Sequence, residues 1–82
     1  MKIAEVINNF PHKTVGLKET QRLIAEKIVK KVILAKDCDQ NISDKILALC
    51  KENNIEVCFF ESKAELGKLC GITVSCAVVG LY

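Results

Sequence analysis

The sequence predicts one α/β domain, a three-layer α/β/α sandwich built on a small mixed sheet. Three observations lead there. Apolar residues recur at helical spacing in several stretches. Between these stretches lie short runs rich in β-branched and aromatic residues. The two signals take turns along a chain of only 82 residues. Alternation of helix and strand implies crossover connections, which set helices on both faces of a sheet. A strand covered on both faces has no polar side, which accounts for apolar runs that do not alternate. Residues 1–82 leave room for a single core, and no repeat or linker interrupts them.

Taken in order, residues 2–9 form a short helix with Ile3, Val6, Ile7 and Phe10 on one side, ended by Pro11. Gly16 opens a second helix reaching about Val29, where Leu17, Gln21, Ile24 and Ile28 make a stripe that Leu23 and Ala25 widen. Val32–Ala35 is a buried strand. A third helix starts at Asn41 or Ser43 and runs to Asn53, with Ile42, Ile46, Leu49 and Cys50 on one face, and Asn53-Asn54 stops it. Ile55–Phe60 is a second strand of strong β-formers. Ser62-Lys63-Ala64-Glu65 reads as a capping box, in which serine oxygen and glutamate satisfy each other's free N–H groups. Gly71 ends that helix in a left-handed conformation, and Thr73–Leu81 supplies the last strand.

Half the residues are hydrophobic, 27% are charged, and there are only 4 Gly and 1 Pro, so disordered and collagen-like classes are excluded. The longest apolar run, Ile46–Cys50, is far shorter than the ~18–20 residues of a membrane span. Glu5 lies where a secretory signal needs apolar residues. A cytoplasmic protein without membrane contact is expected. The five cysteines, at 38, 50, 58, 70 and 76, contain no Cys-x-x-Cys pair. They read as free structural thiols, with no disulfide framework, metal site or cofactor.

Enzymatic arrangements find little support. His12 sits in a turn beside Pro11, with nothing to set it against a thiol. Asp37 and Asp39 follow a strand end, where carboxylates serve turns or helix caps more often than general-base chemistry. No glycine-rich phosphate loop is present. The chain is expected not to be an enzyme.

Charge is more informative. Net charge is +2, but Lys13–Lys36 holds seven bases against two acids, whereas Asp37–Glu65 holds three against seven. This asymmetry favours a polyanion partner, although a lysine-bearing solvated helix face would have the same composition. At Gly16-Leu17-Lys18-Glu19-Thr20-Gln21-Arg22, glycine allows a polymer backbone to come close, and the free N–H groups of the first helical turn attract an anion. Lys18 and Arg22 share a face, and Glu19 adjoins Arg22. Lysine and arginine can donate to the O6/N7 edge of guanine, and a carboxylate can accept from a base amino group. Glu19 and Arg22 could equally pair with each other on the surface.

With these residues the chain resembles the kink-turn-binding ribosomal proteins, the family named for large-subunit ribosomal protein L-seven-Ae, in its small bacterial branch. The likeness rests on Gly16-Leu17-Lys18-Glu19-Thr20, on Ile33-Leu34-Ala35-Lys36-Asp37-Cys38-Asp39, and on Leu66-Gly67-Lys68-Leu69-Cys70-Gly71-Ile72 followed by Thr73-Val74-Ser75-Cys76-Ala77. It implies an α/β/α sandwich that binds a kink-turn, an RNA helix bent at a bulge flanked by sheared G·A pairs. By that likeness, RNA-binding residues are Gly16, Leu17, Lys18, Glu19, Thr20, Arg22, Lys36, Ile72, Thr73 and Val74. Gly16 would admit the RNA backbone, Lys18, Glu19 and Arg22 would read or brace guanines, and Thr20 would support phosphate contacts. Lys36 would face the bulge. Ile72, Thr73 and Val74 would form an apolar loop beneath an extruded nucleotide. Ile72 and Val74 could also belong to the core, and Gly67 to helix packing. The partner implied is a kink-turn in ribosomal or messenger RNA, with possible ribosome association, and the protein would act as a monomer. Two other readings are a protein-interaction module in a ribosome-associated assembly and a thiol-dependent enzyme or redox sensor.

Overall fold

Residues 3–71 and 76–82 are described in a computed structural model of the chain, with the side chains of Ile3 and Ala4 left aside. The elements are α1 (Ile3–Asn8), β1 (Lys13–Val15), α2 (Leu17–Ala25), β2 (Lys31–Ala35), α3 (Gln40–Glu52), β3 (Glu56–Phe60), α4 (Lys63–Leu69) and β4 (Val78–Leu81). The four strands lie in the order β1-β4-β2-β3. β4 is antiparallel to both of its neighbours, with Val15 opposite Val79 and Leu34 opposite Val78. β2 and β3 are parallel, with Lys31 opposite Glu56, and these two side chains form an ion pair at 3.3 Å. The sheet is mixed, as expected.

Side-chain alternation along the strands feeds two cores. Ile33, Ala35, Val79 and Leu81 point to one face, where Val6 and Ile7 of α1, Leu66 of α4 and the C-cap residue Cys70 cover them. Val32, Leu34 and Val78 point to the other, under Leu23 and Ile24 of α2 and Ile46 and Cys50 of α3. Both faces of β2 are thereby closed to water, which is why its sequence is continuously apolar.

Several boundaries differ from the sequence reading. α2 ends at Ala25 rather than near Val29, because Lys27 takes a left-handed φ of 62° and Ile28 turns back to bond the Leu23 carbonyl. Its buried positions are Thr20, Leu23 and Ile24, while Ile28 and Ala25 lie exposed outside the stripe. β1 was not expected. Three residues are too few for a periodic signal, and the strand exists because β4, more than sixty residues later, supplies its partners. The last strand begins at Val78; the expected residues 73–75 lie outside the described ones. α4 starts as anticipated, with Ser62 Oγ accepting from the Glu65 N–H at 3.1 Å, but the Glu65 carboxylate pairs with Lys68 at 3.9 Å instead of closing the box. Gly71 follows with φ 75°, the left-handed stop.

Packing is tight at Gly80. A Cβ there would lie 2.9 Å from Thr14 Cγ2, 3.1 Å from Val29 Cγ2 and 3.2 Å from Thr20 Cγ2, so α2 rests on β4 only because this position has no side chain. Gly80→Ala is expected to cost about 1–3 kcal/mol through overpacking, read as a lower urea midpoint with an unchanged slope.

All five cysteines are free, and Cys50, Cys70 and Cys76 are buried. Burial pushes the Cys50 thiol up to about 11, and desolvation raises Cys70 and Cys76 as well. An unfolded-chain thiol ionises near about 8.5, so above that pH the unfolded state sheds a proton that the folded state keeps. The thiol contribution to stability is complete below about pH 8.5 and is lost as pH rises toward 11. Thermal melts in reducing buffer should show the midpoint falling over this window, with a shallower fall in Cys50→Ala.

Candidate nucleic-acid interface

The beginning of β4 organises one end of the sheet. In an extended chain successive carbonyls point to opposite sides. The Val78 carbonyl accepts the Gly16 N–H at 3.1 Å, and the Ala77 carbonyl accepts the Ala35 N–H at 2.9 Å. Two adjacent residues thus hold the start of α2 on one side and the end of β2 on the other. Lys36 continues the pattern across the next strand, donating its N–H to the Phe60 carbonyl at 2.8 Å. Gly16, Lys36 and the chain leading into β4 are therefore brought to the same end of the molecule. Ile72, Thr73 and Val74 lie outside the described residues, but both flanks of their segment, Gly71 and Cys76, are described.

Gly16 is the N-cap of α2 with φ 105° and ψ 157°, a conformation L side chains avoid, and a Cβ built there would meet nothing within 4 Å. The space over it is open, so it is the backbone of this turn that faces solvent. No side chain caps α2 among the described residues, leaving the N–H groups of its first turn available to an anion. Lys18, Glu19 and Arg22 are exposed on this helix, as is Lys36 at the end of β2. Leu17 is half-buried and packs toward the α2/α3 core, so its contribution to the surface is its backbone.

Thr20 departs from the sequence expectation. It is fully buried, its hydroxyl has no hydrogen-bond partner among the described residues, and its methyl packs near Gly80. Its side chain does not reach solvent to touch a phosphate; it supports the helix from beneath, and its N–H returns to the Gly16 carbonyl at 3.2 Å. The signal available in the sequence was its position three residues before Leu23 and four before Ile24, on the buried stripe.

Glu19 and Arg22 pair with each other, and the other arm of the guanidinium bonds Glu26 at 2.6 Å. The hydrogen bond and charge of Glu19, supported by Glu26, raise the Arg22 pKa, so the guanidinium stays charged throughout the working range. All three side chains are about half exposed, where ion pairs contribute little and exchange partners readily. The basic segment of the sequence divides in space. Lys18 and Lys36 belong to the glycine end, Arg22 lies in the last turn of α2, and Lys27, Lys30 and Lys31 follow it toward the opposite end of the sheet.

Other features carry less chemistry. His12 is exposed and stacks on Tyr82 with ring centroids 5.3 Å apart, while the two backbones exchange N–H···O bonds of 2.8 and 2.9 Å that extend the β1–β4 ladder. Asp37 accepts the Lys63 N–H at 2.8 Å and so serves as a helix cap, the structural use expected for it. Asp39 is the N-cap residue of α3 without a side-chain bond. No cluster of three potential metal ligands occurs among the described residues, and none of their helices is long and apolar enough to cross a membrane. Two cavities, of about 200 and 240 Å³, are lined by residues such as Lys27 and Asn54, and Phe10 and His12. They are smaller than the ~300–1,000 Å³ of ordinary small-molecule pockets.

Comparison with known proteins agrees with this architecture. Among solved structures, a protein of unknown function from Bacillus halodurans superposes with a TM-score of 0.81 at 22% identity, covering 96% of this chain and 76% of the other. The 15.5kD RNA binding protein of Giardia lamblia superposes with a TM-score of 0.79 at 23% identity, covering 95% and 62%. In sequence, an RNA-binding protein of Staphylococcus aureus is 38% identical over 73 residues, 89% of this chain and 87% of its own. An RNA-binding protein of Caldanaerobacter subterraneus is 34% identical over 67 residues, 82% of each chain. Residues 6–81, which hold the whole sheet and every helix but the first half of α1, match the family described as ribosomal protein L7Ae/L30e/S12e/Gadd45, and the chain belongs to that family.

Proposed function

We propose that this chain is a non-enzymatic RNA-binding protein that recognises a kink-turn and stabilises its bent form. The observation that carries the reading is the convergence at one sheet end of an uncapped, glycine-led helix start, the exposed Lys18 and Lys36, and the Cys76–Ala77 backbone that leads into β4. Membership of the family and the names of the relatives support RNA as the partner. In this reading the backbone of Gly16 and Leu17 meets the RNA backbone, Lys18, Glu19 and Arg22 engage the guanines of sheared pairs, and Lys36 faces the bulge. Ile72, Thr73 and Val74 support an unstacked nucleotide, while Thr20 acts from below as packing.

The mechanism is a population shift. Free RNA samples extended and bent forms, and a protein that contacts only the bent one moves the equilibrium by its differential affinity. Kinking crowds phosphates, so Lys18, Arg22 and Lys36 offset repulsion most strongly at low salt. On binding, Glu19 exchanges Arg22 for a base amino group, and Arg22 exchanges Glu19 for a guanine edge. Cytoplasmic location and ribosomal or messenger RNA as the target accompany this proposal.

A gel-shift comparison of kink-turn RNA with a variant whose G·A pairs are replaced by Watson–Crick pairs is expected to show tighter binding of the kink-turn; equal affinities would defeat the specific reading. Glu19→Ala is expected to weaken kink-turn binding about tenfold or more, the loss of a hydrogen bond to a charged group, although it removes a negative charge. Tighter binding by that variant in the same assay would reduce the site to electrostatic attraction.

A further inference from the structure

We propose that Asp37 is a positioning residue for the RNA site, resting on the kink-turn reading above. Its Oδ1 accepts the Lys63 N–H at 2.8 Å, a bond between residues 26 apart in sequence. Lys63 in turn accepts the Cys76 N–H at 3.0 Å on its carbonyl, and Ala77 accepts the Ala35 N–H at 2.9 Å. With the covalent links Ala35-Lys36-Asp37 and Cys76-Ala77, these three hydrogen bonds close a ring. It passes through the end of β2, the first residue of α4 and the chain that leads into β4. Lys36 sits inside the ring, and the carbonyl that holds Gly16 belongs to Val78, one residue beyond it.

Two of the three bonds are backbone to backbone and survive most substitutions. The Asp37 carboxylate is the only side chain in the circuit, so it is the one link a point mutation opens. Its position also fits the helix it serves. α4 has a local cap in Ser62, whose hydroxyl takes the Glu65 N–H, so Asp37 satisfies a second free donor of the same first turn. Beyond capping, this bond adds a fixed relation between Lys36, the start of α4 and the Cys76–Ala77 backbone. Asp37 is exposed and belongs to neither hydrophobic cluster, so its loss removes no apolar packing from either layer.

The test compares Asp37→Ala, Asp37→Asn and Ser62→Ala, each binding kink-turn RNA and the Watson–Crick variant at a temperature where circular dichroism matches wild type. Asp37→Ala and Asp37→Asn remove the same charge, but asparagine keeps an acceptor oxygen. Ser62→Ala removes a cap from α4 without touching the ring. Asp37→Ala should raise the kink-turn Kd about fivefold relative to Ser62→Ala, with binding of the Watson–Crick RNA unchanged. Asp37→Asn should stay within about twofold of wild type. The Lys63 amide proton should move upfield only in the alanine variant. If the alanine variant does not fold, Asp37→Glu replaces it, since the longer side chain keeps the charge and displaces the acceptor; the same fivefold loss is expected. Equal losses in Asp37→Ala and Ser62→Ala, or an asparagine variant as weak as alanine, would overturn the positioning role while leaving kink-turn selectivity in wild type. Absence of that selectivity in wild type would overturn the kink-turn reading and this role together.

Discussion

The structure depends on the way β4 begins. Ala77 and Val78 are adjacent, and because carbonyls alternate along an extended chain, one bonds Ala35 of β2 and the other bonds Gly16 at the mouth of α2. β4 lies between β1 and β2, antiparallel to both, so β1 and β2 run in the same direction and end at the same edge. A chain that places its last strand in the middle of the sheet obliges the ends of its earlier elements to meet around that strand's start. The glycine turn and Lys36, which are 20 residues apart in sequence, become neighbours of one short stretch of backbone through this constraint.

That constraint also explains what could be read from the sequence. Local signals served well: the apolar run at Val32–Ala35, the stripe of Ile42, Ile46, Leu49 and Cys50, and the Ser62 cap with its Gly71 stop all act within a few residues of themselves. The features that escaped are those whose cause lies far along the chain. β1 is a strand because Gly80 and Leu81 pair with it, and Thr20 is a core residue because Gly80 leaves room beneath it. Thr20 is polar, and family likeness makes it a support for phosphate contacts, whereas helical spacing with Leu23 and Ile24 places it inside. The bond from Asp37 to Lys63 was legible as a cap by residue type, but its partner was not, since no spacing rule connects positions 26 apart. The exposed group Lys18, Glu19, Arg22 was legible as a set because a helix turn defines their adjacency.

The two informative glycines face opposite ways, and in the proposed reading they divide stability from binding. Gly80 faces inward, where three methyl groups crowd its missing side chain, and it allows α2 to lie close on the sheet. Gly16 faces outward with empty space around it and a φ that other residues adopt only with strain. An outward position with no neighbour gains nothing in packing from being glycine, and its conformational freedom in the unfolded chain is a cost to folding. What the conformation provides is an approach to the backbone N–H groups of α2, beside charges whose ion pairs are weak enough to exchange. A surface built from backbone donors and loosely paired side chains needs its parts fixed relative to one another more than it needs strong individual contacts, because donors that must first be ordered lose affinity to that ordering. The hydrogen bonds at the start of β4 supply the fixed frame, and they do so with backbone atoms, leaving the side chains of the tip free to change partners.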